Sequence, residues 1–557
     1  MYREIYDKWN KYSGLDEELK KELISIEKND DEIKDRFYRE LEFGTAGLRG
    51  ILGAGTNRMN YITVAKTALA LASLIKSRGE EACSRGVVIG RDMRKLSYEF
   101  SIITAKILAE NGIKVYLFTG IRPTPILAYS IRYLNTISGI MITASHNPKF
   151  YNGFKLYWEK GSQILNDIAE EMQNRALEID IFEYDFTNLK PLKDYENIKF
   201  LSDKVITSYY RETLKHSLVD DIDKDIKIVY TPLNGCGNRY VRKILDLRGF
   251  KNVFVVDKQE NPDGTFKNVK NPNPEDINAF DLAINLSKEK EADIIIATDP
   301  DSDRVAVLEN GEEIFQVSGN VMGFLLGAFI LERLKDRDIN ISNGAIVKTI
   351  VTGDMIEKIA ADYGVKVVET LTGFKNICNM ANIWDETGEY EFLYGYEESI
   401  GYVIGEHVRD KDAIITTMAI AEMAGFLKKN GKSIKDYKEE IEKKYGYFEE
   451  YLTSIYFEGI DGIEKMDKIM NNFREIEEFE NLPPILKKID YLNDESSPSN
   501  VLKFYFDENT WFALRPSGTE PKIKIYAYAI DYDKSVTEKK INNLVKIVLE
   551  KIKAEGR

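Results

Sequence analysis

Three aspartates alternate with other residues in Asp299-Pro300-Asp301-Ser302-Asp303-Arg304. Carboxylates at i, i+2 and i+4 can converge on one hard cation where a loop curls. An EF-hand also begins this way, but it needs Gly at its sixth position and Glu at its twelfth; here those are Arg304 and Asn310. The preceding Ile294-Ile295-Ile296-Ala297 reads as a strand, not a helix. A solvated acidic turn is the alternative to a cation site. Mg²⁺ normally keeps part of its shell for phosphate oxygens or water, so three aspartates and one phosphate form a workable set.

Ile140-Met141-Ile142 reads as a buried strand end leading into Thr143-Ala144-Ser145-His146-Asn147-Pro148. Asn147-Pro148 breaks the strand, and Tyr151-Asn152-Gly153-Phe154-Lys155 is expected to follow as a turn. Ser145 then sits at a strand's carboxyl end, where open α/β sheets build their sites. A strand-end serine is more often a turn residue than a nucleophile. In favour of chemistry are His146 and Lys155 close by. The nucleophile elbow G-x-S-x-G is absent. His146, His216 and His407 are the only histidines, which leaves few candidates for a Ser–His–Asp device. Covalent phosphoryl carriage on Ser145 fits better, because it chiefly needs a metal and positioning.

Arg515-Pro516-Ser517-Gly518-Thr519 offers a guanidinium, two hydroxyls and an accessible glycine backbone, a phosphate-binding set to which Lys522 and Lys524 add charge. An ordinary arginine turn is the alternative. Gly395-Tyr396-Glu397-Glu398-Ser399-Ile400-Gly401 puts Glu397 and Ser399 on one side of an extended segment, a carboxylate and a hydroxyl for sugar hydroxyls. A structural glycine loop explains it equally well. Lys411 in Val408-Arg409-Asp410-Lys411-Asp412 could reach a phosphate.

These groups need elements to hold them. Strand-like Val87–Asp92, Lys114–Gly120 and Ser138–Ser145 alternate with helical Ser97–Asn111 and Pro123–Leu134. That is the β-α-β-α-β order of a largely parallel sheet. The order recurs from Lys227 to Asp299 and from Ala345 to Gly395, and each third strand ends in a loaded loop. Residues 1–42 read as helices with Ile24, Ile26, Ile33, Phe37 and Leu41 at helical spacing. The region from Ser433 onward reads as α+β. The fold expected is α/β: three topologically similar domains with mixed, largely parallel sheets, plus a C-terminal α+β domain. The boundaries expected are 1–204, 205–322, 323–432 and 433–557.

The chain's 557 residues are 43% hydrophobic and 30% charged, with a net charge of −15, which argues against broad binding to nucleic acid or an anionic membrane. Cys83, Cys236 and Cys378 are far apart and form no CxxC pair, so neither zinc nor a disulfide framework is expected. A charged N-terminus without an apolar run gives no signal peptide, and the cytoplasm is the compartment expected.

Taken in order, FGTAGLRG, TASHNP with YNGFK, DPDSDR, TLTGFK at 370–375, GYEESIG and RPSGTEPK resemble the α-D-phosphohexomutase family of phosphoglucomutases and phosphomannomutases, over nearly the whole chain. The resemblance implies four domains around one cleft, a phosphoserine at Ser145, and Mg²⁺ on Asp299, Asp301 and Asp303 with Ser145 contributing through its phosphate. It assigns catalytic roles to Arg49 and Lys155, and His146 and Arg304 join that set. Glu397 and Ser399 would select the sugar, with Thr372 and Gly373 also in sugar binding. Arg515, Ser517, Gly518 and Thr519, with Lys411 and Lys524, would hold phosphate. The activity implied is interconversion of α-D-glucose 1-phosphate and glucose 6-phosphate through bound glucose 1,6-bisphosphate. Phosphomannomutase, phosphopentomutase and sugar-bisphosphate synthase activities are the alternatives. Lys155 would serve as base and then acid if neighbouring positive charge lowers its pKa. The N-terminal region resembles the longer branch of bacterial α-phosphoglucomutases and eukaryotic glucomutase/phosphopentomutases. Asn234 stands where many relatives have His, so no role of that histidine carries over. The partner expected is a small phosphosugar, with neither nucleic acid nor membrane; oligomeric state is not implied.

Overall fold

The computed structural model describes residues 2–42, 44, 47–457, 462–494, 498–517 and 522–555. Its contacts divide the chain into two compact units. One comprises Met1–Met322, Asn343–Val347 and Gly373–Gly431; the other comprises Gly323–Ser342, Lys348–Thr372 and Lys432–Arg557.

The first unit opens with helices Tyr2–Lys11, Glu17–Ile26 and Asp30–Phe37. In the second helix Leu19, Leu23 and Ile26 form the buried stripe, at the spacing of one helix face. Ile24, one of the apolar residues at helical spacing, lies about 100° from Leu23 on that stripe and is 63% exposed.

A six-stranded sheet follows, in the order Leu48–Ile51, Tyr151–Trp158, Ser138–Ile142, Val87–Arg91, Val115–Leu117, Ile198–Phe200. Val87–Arg91 pairs in parallel with both Val115–Leu117 and Ser138–Ile142, as the β-α-β order requires. The expected turn at Tyr151–Lys155 is instead a strand, antiparallel to Ser138–Ile142, with Met141 opposite Lys155. Asn152-Gly153 misleads because the glycine serves close approach rather than a turn. A Cβ on Gly153 would meet the Thr143 carbonyl at 2.5 Å and that of Leu48 at 2.8 Å.

A five-stranded sheet has the order Phe315–Val317, Val305–Glu309, Ile294–Thr298, Ile228–Thr231, Val253–Val255, again with a parallel centre. Here too the third strand folds back: Ile294–Thr298 pairs antiparallel with Val305–Glu309. A third hairpin pairs Glu391–Glu397 with Gly401–Ile404. Each loaded loop is therefore the connection of an antiparallel hairpin at the carboxyl end of a buried strand.

In the second unit an antiparallel sheet runs Tyr447–Tyr456, Lys522–Asp531, Thr510–Pro516, Leu502–Asp507, Lys487–Asp490. Helices Gly462–Glu475 and Lys534–Glu555 cover it. The second helix buries Ile541, Leu544, Val545, Val548 and Ile552, one stripe at helical spacing. No helix among the described residues is long and apolar enough to cross a membrane.

Candidate active site

Ser145 is buried and carries a φ of +50°, a left-handed conformation uncommon for a residue with a side chain. The Thr143 hydroxyl oxygen accepts a bond from the Ser145 N–H at 2.9 Å. The Ser145 hydroxyl donates to Asp299 Oδ2 at 2.7 Å. Ser302, in the aspartate loop, also has a positive φ of 55°. That curl turns Asp299 Oδ1 back to accept from the N–H groups of Asp303 and Arg304, each at 3.0 Å.

Asp299, Asp301 and Asp303 are all buried, with ligand atoms within 4.8 Å of one another. Asp301 Oδ1 and Asp303 Oδ1 are buried and accept no hydrogen bond. Anionic oxygens left unpaired in the interior are costly, and a bound cation removes that cost, so the trio fits a metal ion. Among the described residues one other acidic trio is as compact, Asp354, Glu357 and Glu369 in the second unit. There the buried Lys348 ammonium already bonds all three, at 2.5, 3.0 and 2.9 Å, and takes the place a cation would need.

Lys155 Nζ donates to Asp301 Oδ2 at 2.7 Å and to Asp303 Oδ2 at 3.0 Å. Burial alone would lower its pKa, but Asp301 and Asp303 outweigh burial and raise it. The lowered value expected of Lys155 as a general base is therefore not found. A cation on the same carboxylates would cancel the pull that raises it. Asp303 is held well below the usual range: burial opposes this, but Lys155, Lys411 and Arg304 prevail. Asp299 moves the other way, raised by burial and by the charges of Asp303 and Asp301.

Lys411 Nζ lies 3.5 Å from Asp303 Oδ2 and above the Phe374 ring at 5.0 Å. Arg304 donates to the Ser399 carbonyl at 3.0 Å and stands 3.7 Å from Glu397 Oε1. The aspartate hairpin and the Glu397–Ser399 hairpin are therefore joined through one guanidinium. Glu397 is buried; the Ser399 hydroxyl bonds its neighbour Glu398 at 3.3 Å. Arg49 donates to Asn147 Oδ1 at 2.9 Å, beside the serine loop. His146 Nδ1 is 3.4 Å from Ser145 Oγ. Burial, Arg304 and Arg49 together hold that imidazole well below its ordinary pKa, hence neutral. Gly373, at φ +105°, begins the helix Phe374–Thr387, and Thr372 precedes it.

In the second unit Arg515 and Lys524 are direct partners across antiparallel strands. Like charges in that position repel, an arrangement an anion would relieve. Ser517 follows, its N–H bonded to the Lys522 carbonyl at 2.8 Å. Gly518 and Thr519 lie outside the described residues.

Two groups, Thr124 and Asp410, escaped the sequence reading. Thr124 Oγ1 donates to Asp301 Oδ2 at 2.7 Å, and the Thr124 N–H bonds the Asp301 carbonyl at 2.8 Å. Asp410 accepts from Tyr157 at 2.6 Å and Gln163 at 2.8 Å, and its other oxygen is 3.2 Å from Lys411 Nζ. Asn234, the departure noted above, donates to the carbonyls of Lys258 and Asn261 at 3.3 and 2.9 Å and so ties down a loop. No local motif points to Thr124 or Asp410, because their partners are remote in the chain.

Comparison with known proteins gives the chain's family. Models of phosphoglucomutase/phosphomannomutase match in order: α/β/α domain I over residues 40–181, domain II over 208–312, domain III over 318–445 and the C-terminal domain over 460–537. A phosphoglucomutase of Staphylococcus epidermidis is 38% identical over 555 residues, covering 95% of this chain and 98% of that protein. Among solved structures, a Paramecium exocytosis-sensitive phosphoprotein, parafusin (a phosphoglucomutase), in its open form, superposes with a TM-score of 0.70 at 19% identity, covering 92% of this chain and 96% of that one. An Aspergillus fumigatus N-acetylphosphoglucosamine mutase, solved with GlcNAc-6P and magnesium, has a TM-score of 0.51 at 13% identity, covering 92% and 96%. At those identities the two structures speak to the fold alone.

Proposed function

The chain belongs to the phosphoglucomutase/phosphomannomutase family, and from that premise we propose that it interconverts α-D-glucose 1-phosphate and glucose 6-phosphate with Ser145 as the phosphoryl carrier. One observation carries the reading: a strained, buried serine hydroxyl bonded at 2.7 Å to an aspartate whose two partners hold unpaired buried oxygens. Asp299, Asp301 and Asp303, with the phosphate on Ser145, would hold Mg²⁺. Bound there, the ion supplies charge stabilisation to the transferring phosphoryl oxygens.

The residues divide the remaining work. Phosphorylated Ser145 gives its phosphoryl group to the free hydroxyl of the bound hexose phosphate: the serine O–P bond breaks and a sugar O–P bond forms. Lys155 Nζ takes the proton of that hydroxyl and returns a proton in the reverse transfer. Arg49, held beside the loop by Asn147, and Arg304 set positive charge against the equatorial oxygens. Glucose 1,6-bisphosphate then turns over, and its second phosphoryl group returns to Ser145. Glu397 and Ser399 offer a carboxylate and a hydroxyl to the sugar. Arg515, Ser517 and Lys524 would grip the phosphate that does not react, which suits a substrate that binds in two orientations. Glucose is favoured over mannose or a pentose because the relative at 38% identity is a phosphoglucomutase.

The test combines intact mass and turnover. Purified protein carries a phosphate-sized increment that maps to Ser145, and Ser145→Ala abolishes interconversion. Full turnover in Ser145→Ala would end the phosphoserine reading. Equal rates on glucose, mannose and ribose 1-phosphates would remove the assignment to glucose.

A further inference from the structure

Arg94 has no part in the chemistry above, yet its guanidinium is fully buried within the serine loop. Its Nη2 donates to the carbonyls of Ser145 at 2.6 Å and Asn147 at 2.5 Å. Its Nη1 donates to the carbonyls of Pro148 at 2.9 Å and Tyr151 at 3.1 Å. Four main-chain oxygens, spread over seven residues from the reactive serine to the return strand, converge on one planar cation.

The cation is itself held from two sides. Arg94 Nε stands 3.3 Å from Asp92 Oδ2, and both side chains are sealed from solvent. Asp92 is fixed in turn by the Ser97 hydroxyl at 2.7 Å and the Arg94 N–H at 2.9 Å. On the other side the guanidinium lies over the Phe266 ring at 4.9 Å, a cation–π contact. Phe266 lies in the irregular segment that follows the strand Val253–Val255, and the approach is close. A Cβ on nearby Gly264 would meet the Met93 carbonyl at 2.5 Å.

We infer that Arg94, oriented by Asp92 and Phe266, is the positioning residue that holds Ser145 in its left-handed conformation and aims its hydroxyl at Asp299. The serine loop needs this. A residue with a side chain at φ +50° is strained and persists only where its surroundings over-determine it. Four bonds from a charged planar donor, each among the stronger kinds, over-determine it here. Lysine cannot substitute, because a single ammonium has three donors and no fork to span four carbonyls. The bonds all go to the backbone, so they shape the loop without competing for the phosphate. A loop relaxed by about 1 Å still offers the serine, but out of line, and such a displacement costs on the order of 100-fold in rate. Substrate binding, made by other groups, is untouched.

This inference rests on the phosphoserine reading, and the experiment separates the two. Wild type and Arg94→Lys are compared in steady state on glucose 1-phosphate, with thermal unfolding as the control for folding. Expected for a folded Arg94→Lys is a kcat lower by on the order of 100-fold with KM little changed. Guanidinium ion added to Arg94→Ala is expected to restore kcat saturably, which a purely structural defect would not show. A folded Arg94→Lys with wild-type kcat overturns the inference. So does a guanidinium effect on the melting temperature without one on kcat. If neither variant folds, Asp92→Asn decides: it keeps the guanidinium but loosens its orientation. A lower kcat at unchanged KM supports the inference, and an unchanged kcat overturns it. A wild-type chain that does not interconvert glucose phosphates overturns the functional reading and this inference with it. A wild type that turns over beside a fully active Arg94→Lys overturns only this one.

Discussion

Thr124→Val should weaken metal binding without touching a metal ligand. The Thr124 hydroxyl donates to Asp301 Oδ2 at 2.7 Å, while its N–H donates to the Asp301 carbonyl at 2.8 Å. Valine keeps the shape and the backbone bond and removes only the hydroxyl. Asp301 Oδ2 is then left with Lys155 alone, a flexible side chain that can draw the carboxylate away from the trio. Hydrogen bonds to charged groups contribute about 1.5–3 kcal/mol. Partners that orient metal ligands typically change metal affinity by about 10–100-fold, or roughly 1.4–2.8 kcal/mol at 1.4 kcal/mol per decade, so the two routes agree. The assay is mutase rate against free Mg²⁺ concentration. The half-saturating concentration should rise by about 10–100-fold, kcat should recover at saturating Mg²⁺, and Thr124→Ser should behave as wild type. An Mg²⁺ dependence for Thr124→Val that overlays the wild type would show that the hydroxyl does not orient the ligand, and the assignment of Asp301 to the metal would lose its support.

Two further predictions concern stability. Glu422 is fully buried and accepts from Arg248 at 2.5 Å, Ser217 at 2.9 Å and the Leu218 N–H at 2.7 Å. Glu422→Ala leaves that guanidinium without its buried partner and should cost about 3–5 kcal/mol in urea unfolding; an unchanged midpoint would contradict it. His216 and His407 stack with ring centroids 4.9 Å apart, and burial lowers both pKa values, for His407 with help from His216 and Arg409 and for His216 against the pull of Glu212. Tyr209 and Tyr129 also face the pair, and the Tyr209 hydroxyl is bonded to Asp412. The unfolded chain then binds protons that the native state refuses, so stability is full above about pH 6.5 and falls as the pH drops below it, by up to about 1.4 kcal/mol per pH unit for each histidine. Thermal unfolding across that range should show the decline, and the double substitution of both histidines by Gln should flatten it; an equally steep decline in the double variant would refute the assignment.

What could be read from the sequence was whatever sits within one loop. Asp299, Asp301 and Asp303 are neighbours in the chain, so their convergence follows from a short curl, and the left-handed Ser302 supplies it. Ser145 was recognisable as a strand-end hydroxyl, and parallel strands around it followed from the alternation of elements. Partnerships across the chain were not readable. Lys155 meets Asp301 from 146 residues away and Thr124 from 177. The sign of the Lys155 pKa shift depends on that meeting, and the carboxylates rather than the cations around it decide the sign. Tyr151–Lys155 reads as a turn because Asn-Gly has the composition of one, yet it opens the strand Tyr151–Trp158, and the glycine is there to let two carbonyls pass. That composition conceals the hairpin which sets Lys155 opposite Met141 and points it to the aspartates.

The charge balance of the site explains why the serine and the aspartates belong together. Asp299, Asp301, Asp303, Glu397 and Asp410 are interleaved with Lys155, Lys411, Arg304 and the more exposed Arg49, which leaves the cluster near neutrality. A phosphoserine adds about −1.5 to −2, and a divalent cation adds the opposite. Either one alone would put nearly two uncompensated charges into the interior, and at about 4 Å each unit pair is worth roughly 4 kcal/mol at an effective dielectric of 20. Both together would cancel. On the proposed reading, a phosphate on Ser145 and a cation on the aspartates would each favour the other, because the oxygens of Asp301 and Asp303 that accept no hydrogen bond belong to the same trio as the Asp299 carboxylate that the serine hydroxyl meets. The same reasoning accounts for Lys155. A cation held by Asp301 and Asp303 would weaken the pull that these carboxylates exert on the Lys155 ammonium, and so favour its exchanging a proton with the sugar.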